Sequence, residues 1–230
     1  YLSESNVVKI EIRRGSTSGE ILGETGNLTI GDAAAPAASC GSGTYTIFTS
    51  TSTNGTSSPN IMNIWYRRHL LGFCYSASEL AAANSCFSSG ATISGISFYI
   101  SNPTSSSYNP YPNYAIAMCH ITSGGNTSNP TSSTNRTNFT TVRSAGSQYF
   151  TSAGTKTISF NTNFSYNGTD ALGFIFAWGQ VPTGYSSDGQ SRITSSGRTY
   201  YTRTDGAGAY SVTNSASSYL SYRPRIDLIC

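Results

Sequence analysis

The chain has 230 residues, enough for one large domain with a sizeable core or for one domain plus an arm. Only 10% of residues are charged, against roughly 25% in ordinary domains. The net charge of +3 is scattered without a basic stripe, which argues against a nucleic-acid partner, and the longest apolar run, residues 171–178, is too short to span a bilayer.

Ser and Thr are abundant, with 23 Gly and 16 Tyr. Tyr, Phe, Ile and Val recur in short alternating runs, which disordered segments lack. The composition therefore reads as a folded, secreted-type all-β chain. The start, Tyr1-Leu2-Ser3-Glu4, carries no signal-peptide pattern and reads as a processed end.

The first predicted element covers residues 7–14. Val8, Ile10 and Ile12 share one parity, and Lys9, Glu11 and Arg13 the other. Such alternation with β-branched residues marks a half-buried strand. Gly15 to Gly19 then forms a flexible hinge. A tethered apolar strand either pairs at home or adds to the open sheet edge of another copy. Ile21-Leu22 and Leu28-Thr29-Ile30 are further short strands. Residues 33–38, with Pro36, read as a linker or extended crossing. The expected division is an arm at 1–32 and a β-sandwich domain at 33–230.

In the body, strands are expected at residues 44–49, 61–66, 70–75, 91–100, 114–121, 138–142, 156–160, 171–178, 199–203, 210–213 and 225–229. The only helical pattern is the Ala-rich segment 77–83. In 114–121, Ile116, Met118 and His120 oppose Ala115, Ala117, Cys119 and Ile121. Residues 171–178 are apolar on both faces, which places them centrally. Many short strands without alternating helices indicate a jelly-roll-like antiparallel β-sandwich with one short helix and an N-terminal strand arm.

The five cysteines are Cys40, Cys74, Cys86, Cys119 and Cys230. An odd count allows two internal bridges at most. Cys74 and Cys86 flank the short helix and are the first candidate pair. Cys40 with Cys230 is the second, tying the domain's start to its end. Cys119, in an alternating strand, reads as a buried thiol. If bridges form, the protein works in an oxidising place. Sequons occur at Asn27, Asn54, Asn126, Asn135, Asn138, Asn163 and Asn167, as glycan acceptors or turn-forming Asn.

Two stretches carry a resemblance. One runs Asn63-Ile64-Trp65-Tyr66-Arg67-Arg68-His69, then Tyr75-Ser76-Ala77-Ser78-Glu79-Leu80, then Ala91-Thr92-Ile93-Ser94-Gly95-Ile96-Ser97-Phe98. The other runs from Thr157-Ile158-Ser159-Phe160 to Phe164-Ser165-Tyr166-Asn167-Gly168-Thr169-Asp170-Ala171-Leu172. Over residues 42–230 the chain resembles a β-sandwich module of large secreted surface proteins of Bacteroidota-like bacteria, and the arm resembles a donor strand of a pilus-like filament subunit. The resemblance implies an extracellular structural or adhesive role and brings no catalytic residues. The second stretch reads as a hairpin around the turn Asn167-Gly168-Thr169-Asp170.

Chemistry is sparse. His120 shares the parity of Ile116 and Met118 and reads as a satisfied core histidine; His69 follows Arg67-Arg68 and is expected near a loop. No nucleophile elbow or paired-acid pattern exists, so no catalytic or metal residues are assigned and no enzyme is expected. The one cofactor considered is Ca²⁺, held by Asp170, Asp188 or Asp205 with backbone carbonyls. Tyr108, Tyr111 and Tyr114, in a Pro-stiffened loop, are candidate ligand-contact aromatics. The leading expectation is an extracellular filament subunit, a homopolymer built by strand donation through Val8, Ile10 and Ile12. The alternative is a carbohydrate- or protein-binding adhesin module, with glycans as partners.

Overall fold

The computed structural model describes residues 39–48, 60–122, 125–179, 181 and 189–230, with the backbone of four short strands nearer the N-terminus. Contacts divide the chain into two units, Tyr1–Ala37 and Ala38–Cys230. In the first, β1 (Val7–Val8), β2 (Glu11–Arg13), β3 (Ile21–Glu24) and β4 (Leu28–Thr29) form two antiparallel pairs, β1 with β4 and β2 with β3. Val8 lies opposite Leu28 and Ile12 opposite Gly23. The strand expected to be donated alone thus already holds a ladder within its own arm, because partners so near in sequence cost little loop-closure entropy. Ile10 lies outside the described residues.

The second unit holds β5 (Thr44–Thr46), β6 (Arg68–Tyr75), α1 (Ala77–Ala83), β7 (Ala91–Asn102), β8 (Tyr111–Ile121), β9 (Arg136–Gln148), β10 (Gly154–Tyr166) and β11 (Ala171–Trp178). It continues with β12 (Gln190–Ser191), β13 (Ile193–Thr194), β14 (Thr199–Thr204), β15 (Ser218–Leu220), β16 (Arg223–Pro224) and β17 (Asp227–Ile229). One sheet has the order β10-β7-β17-β5, with β12 also on β7. A second runs β15-β14-β6-β11-β8-β9, and β13 pairs with β16 in a small two-stranded sheet. Every pairing is antiparallel. The unit is an all-β sandwich with one short helix.

Period-two alternation builds the core. Phe73 and Tyr75 of β6, Ile116 and Met118 of β8, and Leu172, Phe174, Phe176 and Trp178 of β11 face inward. They meet Ile93, Ile96, Phe98 and Ile100 of β7 and Leu228 of β17. Aromatic stacking fills the middle: Phe73 lies 5.6 Å from Phe174 and 5.9 Å from Phe176. The opposite parity is buried too. Leu70, Ala115, Ala117, Ile175 and Ala177 lie under Val212 and Ala216.

Two glycines make that outer cover fit. A Cβ on Gly72 would sit 2.7 Å from Thr131 Cγ2, and one on Gly173 would sit 2.9 Å from Pro130 Cβ. The Pro130-Thr131 segment therefore lies directly on the sheet. It is tied to the C-terminal loops by Asn129, which donates to the Ala216 carbonyl at 2.7 Å, and by Thr131 Oγ1, which accepts the Ala216 N–H at 2.8 Å. This is why β11 is apolar on both faces.

α1 carries a complete capping box. The Ser76 hydroxyl accepts the Glu79 N–H at 3.2 Å, and the Glu79 carboxylate accepts the Ser76 N–H at 2.8 Å.

Three expected elements differ. Residues 61–66 are not a strand: Asn60 Oδ1 accepts the Met62 N–H and Asn63 Oδ1 the Trp65 N–H, each at 2.9 Å. These local turns capture backbone donors that a ladder would need. Residues 210–213 form a turn in which Asn214 Oδ1 accepts the Ser211 N–H at 2.7 Å. The segment around Asn167-Gly168 is an arch rather than a hairpin, since β10 pairs with β7 in one sheet and β11 with β6 and β8 in the other. Gly168 has φ +82, and a Cβ there would strike the Ser88 carbonyl, so glycine is required for close backbone approach as well as for the turn.

Candidate functional site

The disulfide joins Cys40 to Cys86 across a sequence separation of 46. Neither expected pairing forms, and Cys74, Cys119 and Cys230 are free. Parity is the reason. Tyr75 and Phe73 face the core, so Cys74 points to the outer face of β6, grouped with Cys119 and Ile121. Cys86 lies on the core side with Cys40. Cys230 is held instead by backbone pairing with Gly43. Burial pushes the Cys119 thiol up to about 12 and raises the Cys74 thiol well above its ordinary value. Neither is a nucleophile at neutral pH.

The candidate ligand aromatics are mostly interior. Tyr111 and Tyr114 are fully buried; Tyr111 donates its hydroxyl to the Met62 carbonyl and Tyr114 to the Ile61 carbonyl at 2.8 Å. Asn113, at φ +56, and the register shift between Tyr111 and Tyr114 reset the strand parity so that both rings face inward. Tyr108 is half-buried and packs against the core. These three rings do not form a sugar-stacking platform.

Of the sequons, Asn27 and Asn54 lie outside the described residues. Asn138 and Asn163 are exposed on strands. Asn126 donates to Glu79 Oε1 at 2.9 Å and Asn135 is half-buried. Asn167 is exposed but occupied: its Oδ1 accepts the Thr169 and Asp170 N–H groups and its Nδ2 donates to Asp170.

His120 is a buried histidine whose Nε2 accepts the Asn167 N–H at 3.2 Å; burial lowers its pKa. His69 is not near an open loop. It is fully buried, stacked at 4.9 Å on Trp178. Neither ring nitrogen, nor the Trp178 indole N–H, reaches a partner with good hydrogen-bond geometry. Burial first, then the charge of Arg203 across the ladder, hold the His69 pKa at about 3, with the Tyr66 backbone pulling weakly the other way. His69 is neutral at physiological pH, and no carboxylate relay reaches it among the described residues.

Asp170 is engaged by Asn167, Asp205 Oδ1 accepts the Arg67 N–H at 3.2 Å, and Asp188 lies outside the described residues. Among the described residues no group of three or more His, Cys, Asp or Glu side chains converges, so the Ca²⁺ ligands considered do not come together there.

The strongest polar centre is one that sequence reasoning missed. Arg223 is fully buried, and its guanidinium pairs with Glu79 at 2.6 and 3.0 Å. It also donates to the carbonyls of Cys74 and Ser196 and lies over Phe48 and Tyr75. Gly197, at φ +84, leaves the space that Arg223 fills. Burial alone would raise the Glu79 carboxyl. Hydrogen bonds from Arg223, Asn126 and the Ser76 backbone outweigh it and hold the group at about 2. The centre clamps α1 to the C-terminal strands. A signal existed in the 11 Arg against 2 Lys. Arg68, Arg136, Arg192, Arg198 and Arg203 also lie over aromatic rings, a geometry that a guanidinium suits better than an ammonium.

Among the described residues, β5 ends its sheet. Gly43 and Cys230 exchange both backbone hydrogen bonds, at 3.1 and 2.9 Å. Such pairs alternate along an antiparallel ladder. Thr44 and Thr46, opposite Ile229 and Asp227, therefore turn their N–H and C=O groups away from β17. Both residues are exposed, and no strand lies beyond β5 among the described residues. Beside this edge is a cleft of about 440 Å³, lined by Thr46, Ile47, Phe48, Glu79, Ala82 and Ala83.

No protein-family description, no curated protein and no solved structure matches the chain. Among the described residues no helix is long and apolar enough to cross a membrane.

Proposed function

We propose that the chain is a structural subunit of an extracellular or cell-surface assembly, joined to further copies through its N-terminal ribbon. The observation that carries this is the two-unit organisation. The sandwich in Ala38–Cys230 has its own filled core, while the described residues of Tyr1–Ala37 form two-stranded pairings. A two-stranded ribbon is marginal in water until a third strand or a packing face joins it. The alternation of Val8, Ile10 and Ile12 supplies an apolar face for such a contact. The ribbon adds as a unit, with β2 already paired to β3, rather than as a lone strand. The Cys40–Cys86 bridge fits an oxidising location, and exposed Asn138 and Asn163 fit a glycosylated surface. A head-to-tail contact of this kind propagates when its rotation does not close.

Deletion of residues 1–37 tests the reading. The full chain is expected to give high-mass species in light scattering and fibres in negative stain. The deleted chain is expected to remain folded and monomeric. Assembly unaffected by the deletion, or none by the full chain, would sink the proposal.

A further inference from the structure

We infer that the acceptor for the ribbon is the β5 edge of a second copy, with the cleft beside α1 taking the ribbon's apolar side chains. This inference rests on the ribbon-assembly reading and names the surface that completes it. Three features place it here. First, Thr44 and Thr46 present outward N–H and C=O groups with no strand beyond them among the described residues, the pattern that strand addition uses.

Second, the adjoining cleft has an apolar side made by Ile47, Phe48, Ala82 and Ala83. An antiparallel or parallel strand laid along β5 presents every second side chain to one face. In the sequence, the alternation of Val8, Ile10 and Ile12 with Lys9, Glu11 and Arg13 matches that demand.

Third, the edge is held firmly. The Cys40–Cys86 bridge ties the approach to β5 to the turn after α1, and Cys40 N–H donates to the Gly90 carbonyl at 3.3 Å. The capping box and the Arg223–Glu79 pair fix α1, the cleft's other wall. A pre-ordered acceptor loses little entropy on binding. β10, β15 and β9 also end their sheets, but β5 is the edge with the apolar cleft beside it. Each copy carries both a ribbon and this edge, so a second copy of this chain is the occupant and the contact is head-to-tail.

Full-length Thr46→Pro tests the assignment. Proline removes the outward N–H at an exposed edge position and leaves the ribbon intact. The variant alone is expected to need about tenfold or more higher concentration to form polymer. Mixed with the unaltered chain, it is expected to shorten fibres, because it donates its ribbon but accepts none. If Thr46→Pro polymerises like the unaltered chain, the acceptor is elsewhere and the ribbon reading stands. If the unaltered chain forms no polymer, both fall.

Should Thr46→Pro fail to fold, a full-length Ile12→Cys, Thr46→Cys double variant decides the matter by oxidation and a non-reducing gel. A ladder of linked chains, absent from either single variant, is the expected result. A bridge within one chain, or no bridge, would overturn the assignment.

Discussion

Glu79→Gln removes the charge that faces buried Arg223 while keeping the side chain's shape. The Glu79 carboxyl sits at about 2, against an ordinary 4.5. At about 1.36 kcal/mol per pH unit, that difference corresponds to about 3 kcal/mol. Glu79 retains some solvent exposure, and screening trims the figure. Leaving the Arg223 charge buried and unpaired acts in the other direction. The expected loss is about 2–4 kcal/mol at pH 7, or roughly 5–15 °C in Tm for a body of this size.

The sign follows from the depressed folded-state value. The contribution is present above pH 4.5 and is lost as pH falls towards about 2. Thermal melts followed by circular dichroism between pH 7 and pH 2 should show the two proteins well separated at neutral pH and converging in acid. Parallel curves over the whole range, or a variant melting within about 1 °C of the parent, would refute the clamp. The difference between the two proteins cancels other titrating groups.

His69 titrates in a separate window. Its folded-state value of about 3 lies below the ordinary 6.5, so the stability it contributes is lost as pH falls from 6.5 towards about 3; His120 moves in the same direction. His69→Phe should flatten the melting curve between pH 6.5 and 4.5, where Glu79 is still ionised; an unchanged slope would place the dependence on another group. Cys40→Ser should lose up to about 4 kcal/mol, from the chain-entropy estimate for a loop with this separation of 46. Thiol titration should find little reaction in the native protein, three thiols in the unreduced denatured one and five after reduction. A free Cys86 would contradict the bridge. Tyr111→Phe should cost about 1–2 kcal/mol through the stranded Met62 carbonyl, with any glycan binding unchanged. Gly173→Val should destabilise by pushing Pro130 and Cys119 aside, read as a lower Tm and a Cys119 thiol that reacts faster.

The local pattern carried a good deal of this protein. Alternation in residues 114–121 assigned the two faces of β8, and the doubly apolar run 171–178 located the central strand. The Ala-rich run marked the helix Ala77–Ala83, which Ser76 and Glu79 cap within four residues. These features are decided by neighbours a few positions apart, so a sequence displays them. The residues around Asn60 and Asn63 were harder, since a hydrogen bond from side chain to nearby backbone competes with an apolar pattern that reads as a strand.

What the sequence alone did not determine are the contacts joining distant segments. Cys40 meets Cys86, and not Cys230, because strand parity turns Cys74 outward and folding brings the start of the body to the turn after α1. Arg223 finds Glu79 across 144 positions, and nothing near either residue announces the other. The edge at Thr44 and Thr46, with no strand beyond it among the described residues, depends on β17 occupying the other side of β5. A ladder's free side is a property of the assembled sheet. Spacing fixes which way a side chain points, but three-dimensional packing decides what it meets.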